Sequence, residues 1–150
     1  MRLAIASDHN GHVLKEHLTA WLRQRGHEVD DRGAAGTDTV DYPPLCADVA
    51  DRVLTGAANW GVVLGGSGQG EAIACNKIRG IRAALCHCEF TTQIARAHSN
   101  ANVLVIGAKV VESARAAEIL AIWLATPFKG GRHQERLDMI VALERGERLV

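Results

Sequence analysis

A glycine-rich turn that ends in a carboxylate is the first chemical feature of this 150-residue sequence. The segment GGSGQGE covers residues 65–71 and follows the apolar run WGVVL, and four of its first six residues are glycine. Such a turn could cradle a phosphate, bind a dinucleotide, or present Glu71 as a catalytic base.

Two nucleotide-binding patterns do not fit this turn. The dinucleotide pattern needs glycines at relative positions one, three and six after the first strand of its unit, but the third is replaced by Glu71 and the turn follows the third predicted strand. The phosphate-binding loop needs a Gly-Lys-Ser/Thr ending, which this segment lacks.

A turn into a helix N-terminus remains, and its free backbone N–H groups could stabilise a developing oxyanion. Gly66, Gly68 and Gly70 would supply these groups together with the Ser67 hydroxyl. Two plainer interpretations stay open. The glycines could serve only tight strand–helix packing, and Glu71 could be in the first helical turn only because the helix dipole favours a carboxylate there.

Two further segments carry acid–base candidates. Asp8 and His9 follow the first predicted strand, where an aspartate–histidine pair could move protons or Asp8 could simply cap the next helix. His98 lies in ARAHSNAN before the last strand, and a lone loop histidine is more often incidental than catalytic unless another feature connects it to the site.

Arg132 and Arg136 are four residues apart and would share one face of a helix. Two guanidinium groups on one face could bind a phosphate dianion. The alternative is a solvated charged face in which Glu135 and Glu144 are the partners.

The cysteines favour a reduced protein without a metal or other cofactor. Cys86-His87-Cys88 resembles half of a metal site, but no second cysteine pair stands elsewhere, so we interpret these residues as the end of a strand. Four unevenly spaced cysteines in a chain of this size indicate free thiols and a cytoplasmic location.

The bulk properties indicate one soluble domain over residues 1–150. Lysine plus arginine equal aspartate plus glutamate at 17 each, so no basic excess favours nucleic acid or an anionic membrane as a partner. No run approaches the roughly 20 apolar residues of a membrane span, and the start of the chain does not resemble a signal peptide.

Short apolar runs alternate with segments of helical periodicity, which predicts an α/β fold with a parallel sheet. Strands are predicted at 2–7, 27–31, 60–66, 81–86 and 102–107. Helices are predicted at 13–25, from Pro43 to Gly56, and at 69–78, 90–98, 112–125 and 132–146. The last helix follows the final strand, so it would pack across a sheet edge or reach a partner subunit.

Ligands of such folds collect beyond the carboxyl ends of the strands. The first and third strands are neighbours in common strand orders. We therefore expect Asp8, His9 and the glycine turn to lie close together.

Five motifs occur together in the order and spacing of one family. They are SDHNG at 7–11, DYP at 41–43, GGSGQGEAIACNKIRGIRAAL at 65–85, ARAHSNANVLVIG at 95–107 and GGRHQERL at 130–137. Nearly the whole chain resembles the ribose-5-phosphate isomerase B family, in the wider group that includes galactose-6-phosphate and allose-6-phosphate isomerases.

The resemblance implies a Rossmann-like three-layer α/β/α sandwich with a five-stranded parallel sheet. It also implies a homodimer or a dimer of dimers whose active sites are shared between subunits, with the C-terminal helix at the interface. The implied reaction interconverts ribose 5-phosphate and ribulose 5-phosphate through a cis-enediolate, without a metal, as in the pentose phosphate pathway.

Within the family, one branch has a catalytic cysteine at the position of Gly65, and another has glycine there and a glutamate at the position of Glu71. The sequence resembles the second branch, which implies that Glu71 is the base and that none of the cysteines is catalytic. Ser67 would assist the oxyanion site.

Other roles come only from the resemblance. His98 would open the furanose ring from the neighbouring subunit, with Asp8 and His9 near the sugar hydroxyls and Tyr42 in the pocket. The expected substrate-binding residues are His9, Tyr42, Gly66, Gly68, Gly70, Ser99 and Asn100. The expected phosphate-binding residues are Arg132, Arg136 and Lys109.

Two positions depart from the family pattern. Ser99 replaces the usual asparagine after His98, and Asn100 follows one residue later. Lys109 replaces the usual arginine, and a lysine lacks the planar guanidinium that can bind phosphate through two hydrogen bonds. We expect both positions in the part of the site that the partner subunit supplies. They leave open the same reaction on a tetrose 4-phosphate, allose 6-phosphate or galactose 6-phosphate.

Two other classes of function are disfavoured. A non-catalytic subunit would not need to retain Glu71, Asp8, His98, Arg132 and Arg136. A nucleotide-binding module would need the glycine fingerprint and a ribose-binding acid, which the sequence lacks.

Overall fold

The computed structural model describes residues 1–149, in which five strands alternate with helices and a sixth helix follows. The strands are β1 (Arg2–Ser7), β2 (Glu28–Asp31), β3 (Trp60–Gly65), β4 (Ala83–Leu85) and β5 (Val103–Gly107). The helices are α1 (His12–Gln24), α2 (Tyr42–Leu54), α3 (Gln69–Asn76), α4 (Glu89–Ala97), α5 (Ser113–Ala125) and α6 (Arg132–Glu144).

The strands form one parallel sheet in the order β2-β1-β3-β5-β4. Strand β3 is central, and every residue from Gly61 to Gly65 is buried, because a strand covered on both faces must be apolar throughout. The predicted adjacency of the first and third strands is confirmed, with Ser7 paired to Leu64.

Helices cover both faces of the sheet. One core packs α1, α4 and α5 against the sheet around Leu18, Leu104 and Trp123. The other packs α2 and α3 around Val49 and Val63. These two cores on opposite faces confirm the predicted three-layer α/β/α sandwich.

Strand β4 is shorter than the run 81–86 predicted from the sequence. A side chain, not a neighbouring strand, bonds the backbone N–H just before β4, because the Asn102 amide oxygen accepts from Arg82 N–H at 2.8 Å. Ile81 N–H donates to Ile78 O at 3.0 Å, which ends the preceding turn. The edge strand is therefore paired in register with β5 only over Ala83–Leu85.

The C-terminal helix α6 is largely uncovered in the single chain. Leu137 is its only buried residue among those described, whereas Met139, Ile140 and Leu143 are exposed at 52%, 42% and 54%. Its far end contacts the sheet side of the molecule, where the Glu144 carboxylate accepts from Gly80 N–H at 3.0 Å. None of the helices within residues 1–149 is both long and apolar enough to cross a membrane.

Candidate active site

The carboxyl ends of β1, β3 and β5 are joined by hydrogen bonds between the loops that follow them. Asp8 N–H donates to Leu64 O at 3.1 Å, which fixes the first loop to β3. Ala108 N–H and Lys109 N–H donate to Gly65 O and Gly66 O at 2.8 and 2.9 Å. The glycine turn therefore lies between the other two loops at one edge of the sheet.

The glycine turn enters α3 through a left-handed residue. Gly68 has φ of +80°, and a β-carbon there would meet Leu85 at 2.5 Å and Gly107 N at 3.2 Å. The position thus requires glycine both for its conformation and for its space. Close packing is therefore one real reason for glycine in this turn.

The turn also leaves backbone donors free. Among the described residues, the N–H groups of Gly66, Ser67, Gly68 and Gly70 make no hydrogen bond. They cluster at the N-terminus of α3, where the helix dipole adds a partial positive charge. Ser67 is exposed, and its hydroxyl accepts from Gln69 N–H at 3.2 Å. This arrangement can bind an anion or a developing oxyanion.

Glu71 is buried at the start of α3 with only 4% of its surface exposed. A β-carbon on Gly65 would overlap its carboxyl group, so the carboxyl lies against the end of β3. Burial raises the pKa of Glu71, and the negative charge of Asp8 raises it further, although a bond from its own backbone N–H opposes the shift. A buried carboxylate with a raised pKa is a suitable proton acceptor.

Asp8 is held by the loop that it begins. Its carboxylate accepts from Asn10 N–H and Gly11 N–H at 2.9 and 3.0 Å, and from the Asn10 side-chain amide at 2.9 Å. His9 Nδ1 lies 3.9 Å from the Asp8 carboxylate. Asp8 thus organises the turn before α1, but it does not cap the helix, because Gly11 is the N-cap and no side chain of residues 1–149 caps α1. Asp8 also lies near His9 and within electrostatic reach of Glu71.

Tyr42 and Asn10 complete this edge of the site. A β-carbon on Gly70 would lie 2.6 Å from the Tyr42 hydroxyl, so the phenol ring lies against the glycine turn. The Asn10 side chain lies over Gly66, 3.5 Å from where a β-carbon would be. We did not single out Asn10 from the sequence, although it belongs to the SDHNG motif.

His98 and the start of α6 lie at the opposite end of the strands, the amino edge of the sheet. His98 directly follows α4 and precedes β5, and a helix that connects two parallel strands returns the chain to the amino edge. Lys129 N–H donates to Ala97 O at 3.0 Å, which brings the start of α6 to the same place. Within one chain, Glu71 and His98 therefore lie at opposite ends of the parallel strands.

The imidazole rings of His98 and His133 stack with their centroids 3.9 Å apart. Desolvation and the neighbouring His98, Arg136 and Lys129 lower the pKa of His133. His133 lies in the GGRHQERL motif between the two arginines, but we did not single it out from the sequence. Its contact with His98 joins two motifs that are far apart along the chain.

Arg132 and Arg136 are exposed at the start of α6. Within the described part of the chain, neither makes an ion pair, and Glu144 bonds Gly80 N–H instead. In the structure, Glu135 and Glu144 therefore do not neutralise the two arginines.

The chain from residue 3 to residue 140 matches the sequence pattern of the family described as Ribose/Galactose Isomerase. The chain belongs to this family. Ribose-5-phosphate isomerase B of Escherichia coli is 39% identical over 143 residues, covering 95% of this chain and 96% of that protein. Ribose-5-phosphate isomerase B of Mycolicibacterium paratuberculosis is 42% identical over 147 residues, covering 97% and 92% of the two chains.

Solved structures of the family share the fold. Ribose-5-phosphate isomerase B of Clostridium thermocellum superposes with a TM-score of 0.96 at 40% identity and covers 97% of this chain and 99% of its own. The enzyme of Mycoplasma genitalium with bound ribulose 5-phosphate superposes with a TM-score of 0.92 at 36% identity, covering 96% of each chain. The expected enzyme class, an aldose–ketose isomerase, is confirmed by these family members.

The two positions that depart from the family pattern do not lie together. Ser99 is exposed beside His98 at the amino edge of the sheet. Lys109 is exposed at the carboxyl edge, bonded through its N–H to Gly66 of its own chain. The turn after β5 thus places Lys109 at the same end of the strands as Glu71 of its own chain and away from Ser99, and its expected role in phosphate binding stays a prediction.

Proposed function

We propose that this protein interconverts ribose 5-phosphate and ribulose 5-phosphate, with Glu71 as the base and without a metal. The observation that carries this proposal is the buried Glu71 carboxyl beside the free N–H groups of the glycine turn. The names of the family members support the substrate. Within residues 1–149 no three histidine, cysteine, aspartate or glutamate side chains are arranged to hold a metal ion.

In the proposed reaction, the Glu71 carboxylate removes the proton from C2 of open-chain ribose 5-phosphate. The electron pair of the C–H bond forms the C1–C2 double bond of a cis-enediolate, and the carbonyl electrons move to O1. The N–H groups of Gly66, Ser67, Gly68 and Gly70 stabilise the negative oxygen. A proton then passes from the C2 hydroxyl to O1, and the electrons left on O2 form the C2 carbonyl as the C1–C2 double bond takes up the proton that Glu71 returns to C1. The product is ribulose 5-phosphate.

Ring opening is assigned to His98 of the neighbouring subunit. Within one chain, His98 lies at the other edge of the sheet from Glu71, so the two can act on one sugar only across an interface. His98 transfers a proton between the ring oxygen and O1. Asp8, His9 and Tyr42 are proposed to contact the sugar on the Glu71 side, and Ser99 and Asn100 on the His98 side.

The phosphate is assigned to Arg132 and Arg136, which reach the site together with His98. Both arginines are exposed and lack an ion-pair partner among the described residues, so their guanidinium groups can bind a phosphate dianion. Lys109 lies at the same end of the strands as Glu71. It would therefore contact the substrate from the subunit that supplies Glu71, not from the one that supplies the two arginines.

A homodimer or a dimer of dimers supplies both halves of the site. The exposed apolar residues Met139, Ile140 and Leu143 of α6 would be covered in such an assembly. A cavity of about 520 Å³ beside them is lined by Ile140, Leu143 and residues of the β4 edge, and it would receive the partner's side chains. The four cysteines are free, which fits the proposed cytoplasmic location.

An isomerase assay on a panel of sugar phosphates tests the proposal. The panel contains four-, five- and six-carbon aldose phosphates, each assayed with and without EDTA. We expect the highest kcat/KM on ribose 5-phosphate and no loss in EDTA. Preference for a tetrose or hexose phosphate would reassign the substrate. No turnover on any member would overturn the isomerase function, and loss in EDTA would overturn the metal-free mechanism.

A further inference from the structure

Arg96 is a buried arginine that holds the loop after His98. Arg96 belongs to helix α4 and is only 5% exposed. One guanidinium nitrogen, Nη1, donates to the Asn100 amide oxygen at 3.1 Å and to Ala101 O at 2.6 Å. Asn100 has a positive φ of 41°, so this bond stabilises an uncommon backbone conformation within the loop.

Arg82 holds the same loop from the sheet side. Its Nε donates to Ser99 O and Asn100 O, each at 3.1 Å, and its Nη2 donates to Asn100 O at 2.9 Å. His98 N–H donates to Ile94 O at 2.9 Å, which fixes the residue from the helix side. The backbone around His98 is thus restrained from both directions along the chain.

Arg96 has no acidic partner among the described residues. Its guanidinium lies over the Trp60 ring at 4.5 Å and near the Trp123 ring at 5.4 Å. Burial lowers its pKa, and the positive charge of Arg82 lowers it further. Burying a guanidinium without a carboxylate is costly, so stability alone does not account for an arginine at this position.

We propose that Arg96 is a positioning residue for His98. Arg96 fixes Asn100 and Ala101, and this bonding fixes the direction in which the His98 imidazole leaves the loop. This inference rests on the proposed role of His98 in ring opening. A displacement of about 1 Å at a catalytic group can cost on the order of 10²-fold in rate.

The chemistry of the two sugars separates ring opening from proton transfer. Ribulose 5-phosphate cannot close to a furanose, because its O5 carries the phosphate. Exchange of its C1 hydrogen with D₂O therefore needs Glu71 but no ring opening. Conversion of ribose 5-phosphate, which is mostly a furanose, needs both steps.

The Arg96→Met variant of the full-length protein tests the proposal, because methionine keeps an apolar side chain of similar length. We expect kcat for ribose 5-phosphate to fall on the order of 10²-fold, with C1 exchange of ribulose 5-phosphate within about threefold of wild type. His98→Asn should show the same pattern. The double variant should be no worse than His98→Asn alone, since both changes remove one function.

Arg25→Met is the matched control. Arg25 also stacks on a tryptophan, Trp21 at 3.9 Å, and donates to its backbone carbonyl at 3.3 Å, but it lies at the end of α1. We expect this variant to keep both activities. Thermal unfolding of every variant shows whether the fold is retained.

Three outcomes would overturn the inference. Unchanged conversion by Arg96→Met would show that the contact does not orient His98, and equal loss of conversion and exchange would show that Arg96 supports the whole fold. Undiminished conversion by His98→Asn would remove His98 from the mechanism and this inference with it. Exchange that persists in Glu71→Gln would instead overturn only the proposed base.

Discussion

The carboxyl group of Glu71 occupies the space that a β-carbon on Gly65 would need. The two residues are six positions apart, one at the end of β3 and the other in the first turn of α3. Any side chain at position 65 must therefore displace the carboxyl group. The relationship gives a physical reason for glycine at 65 whenever glutamate is at 71.

We predict that Gly65→Ala inactivates the enzyme without unfolding it. The added methyl group would push the Glu71 carboxyl out of its position, and a misplacement of about 1 Å can cost on the order of 10²-fold in kcat. Steady-state kinetics on ribose 5-phosphate would measure the loss.

Gly36→Ala is the matched control for this substitution. Gly36 has an ordinary φ, and no atom lies within 4 Å of where its β-carbon would be. This variant should keep wild-type kcat. A Gly65→Ala enzyme as active as Gly36→Ala would show that the carboxyl position is unimportant for catalysis.

We predict that Glu71→Gln lowers kcat by on the order of 10²–10⁴-fold, because glutamine cannot accept the proton. KM should change little, since the side chain keeps its shape and the substrate contacts remain. The Glu71→Asp variant keeps a carboxylate on a side chain that is one methylene shorter, so its kcat should be intermediate. A near-normal kcat in Glu71→Gln would show that another group is the base.

The raised pKa of Glu71 predicts a pH dependence of activity. Only the ionised carboxylate accepts a proton, so kcat/KM should rise with pH through a value above the ordinary 4.5 of a glutamate. A pH–rate profile of the wild-type protein would measure this limb. An acidic limb at or below the ordinary value would contradict the effect of burial on Glu71.

The same shift predicts a pH dependence of stability with a definite sign. Between the ordinary and the raised pKa, the folded protein holds more protons at Glu71 than the unfolded chain, so stability falls as pH rises through that window. Glu71→Gln should therefore raise Tm at neutral pH and leave it unchanged well below pH 4.5. Equal Tm values for the two proteins at neutral pH would argue against a buried carboxylate.

The exposed arginines of α6 predict a binding defect. Arg132→Ala and Arg136→Ala should each raise KM for ribose 5-phosphate on the order of tenfold, because each would remove one of the proposed charge-assisted hydrogen bonds to the phosphate. Arg23→Ala removes an equally exposed helical arginine away from these motifs and should leave KM unchanged. Initial-rate measurements would separate KM from kcat, and an unchanged KM in both α6 variants would remove the phosphate assignment.

Most of the fold could be predicted because its signals are local. Apolar runs and helical periodicity located all five strands and six helices, mostly within two residues of their observed ends. The run at 81–86 shows the limit of such patterns. The run begins with Ile81 and Arg82, but the N–H groups of these two residues bond the Ile78 carbonyl and the Asn102 side chain.

The relations within the candidate site could not be predicted in the same way, because they depend on three-dimensional contacts. The sequence indicated Glu71 as a base but did not show that its carboxyl lies where a side chain at 65 would be. We did not single out Arg82 or Arg96 from the sequence. Arg82 bonds residues of the His98 loop that are 17 and 18 positions away, and Arg96 bonds the same loop from four and five positions away. The contact between His98 and His133 joins still more distant motifs.

The measurement that tests the shared site most directly is complementation between two inactive variants. Glu71→Gln and His98→Asn chains would carry different affinity tags and be purified as mixed dimers. Because each mixed dimer has one site with both native residues and one with neither, we predict about half of wild-type kcat per dimer. Mixed dimers no more active than either parent would show that Glu71 and His98 do not meet across an interface.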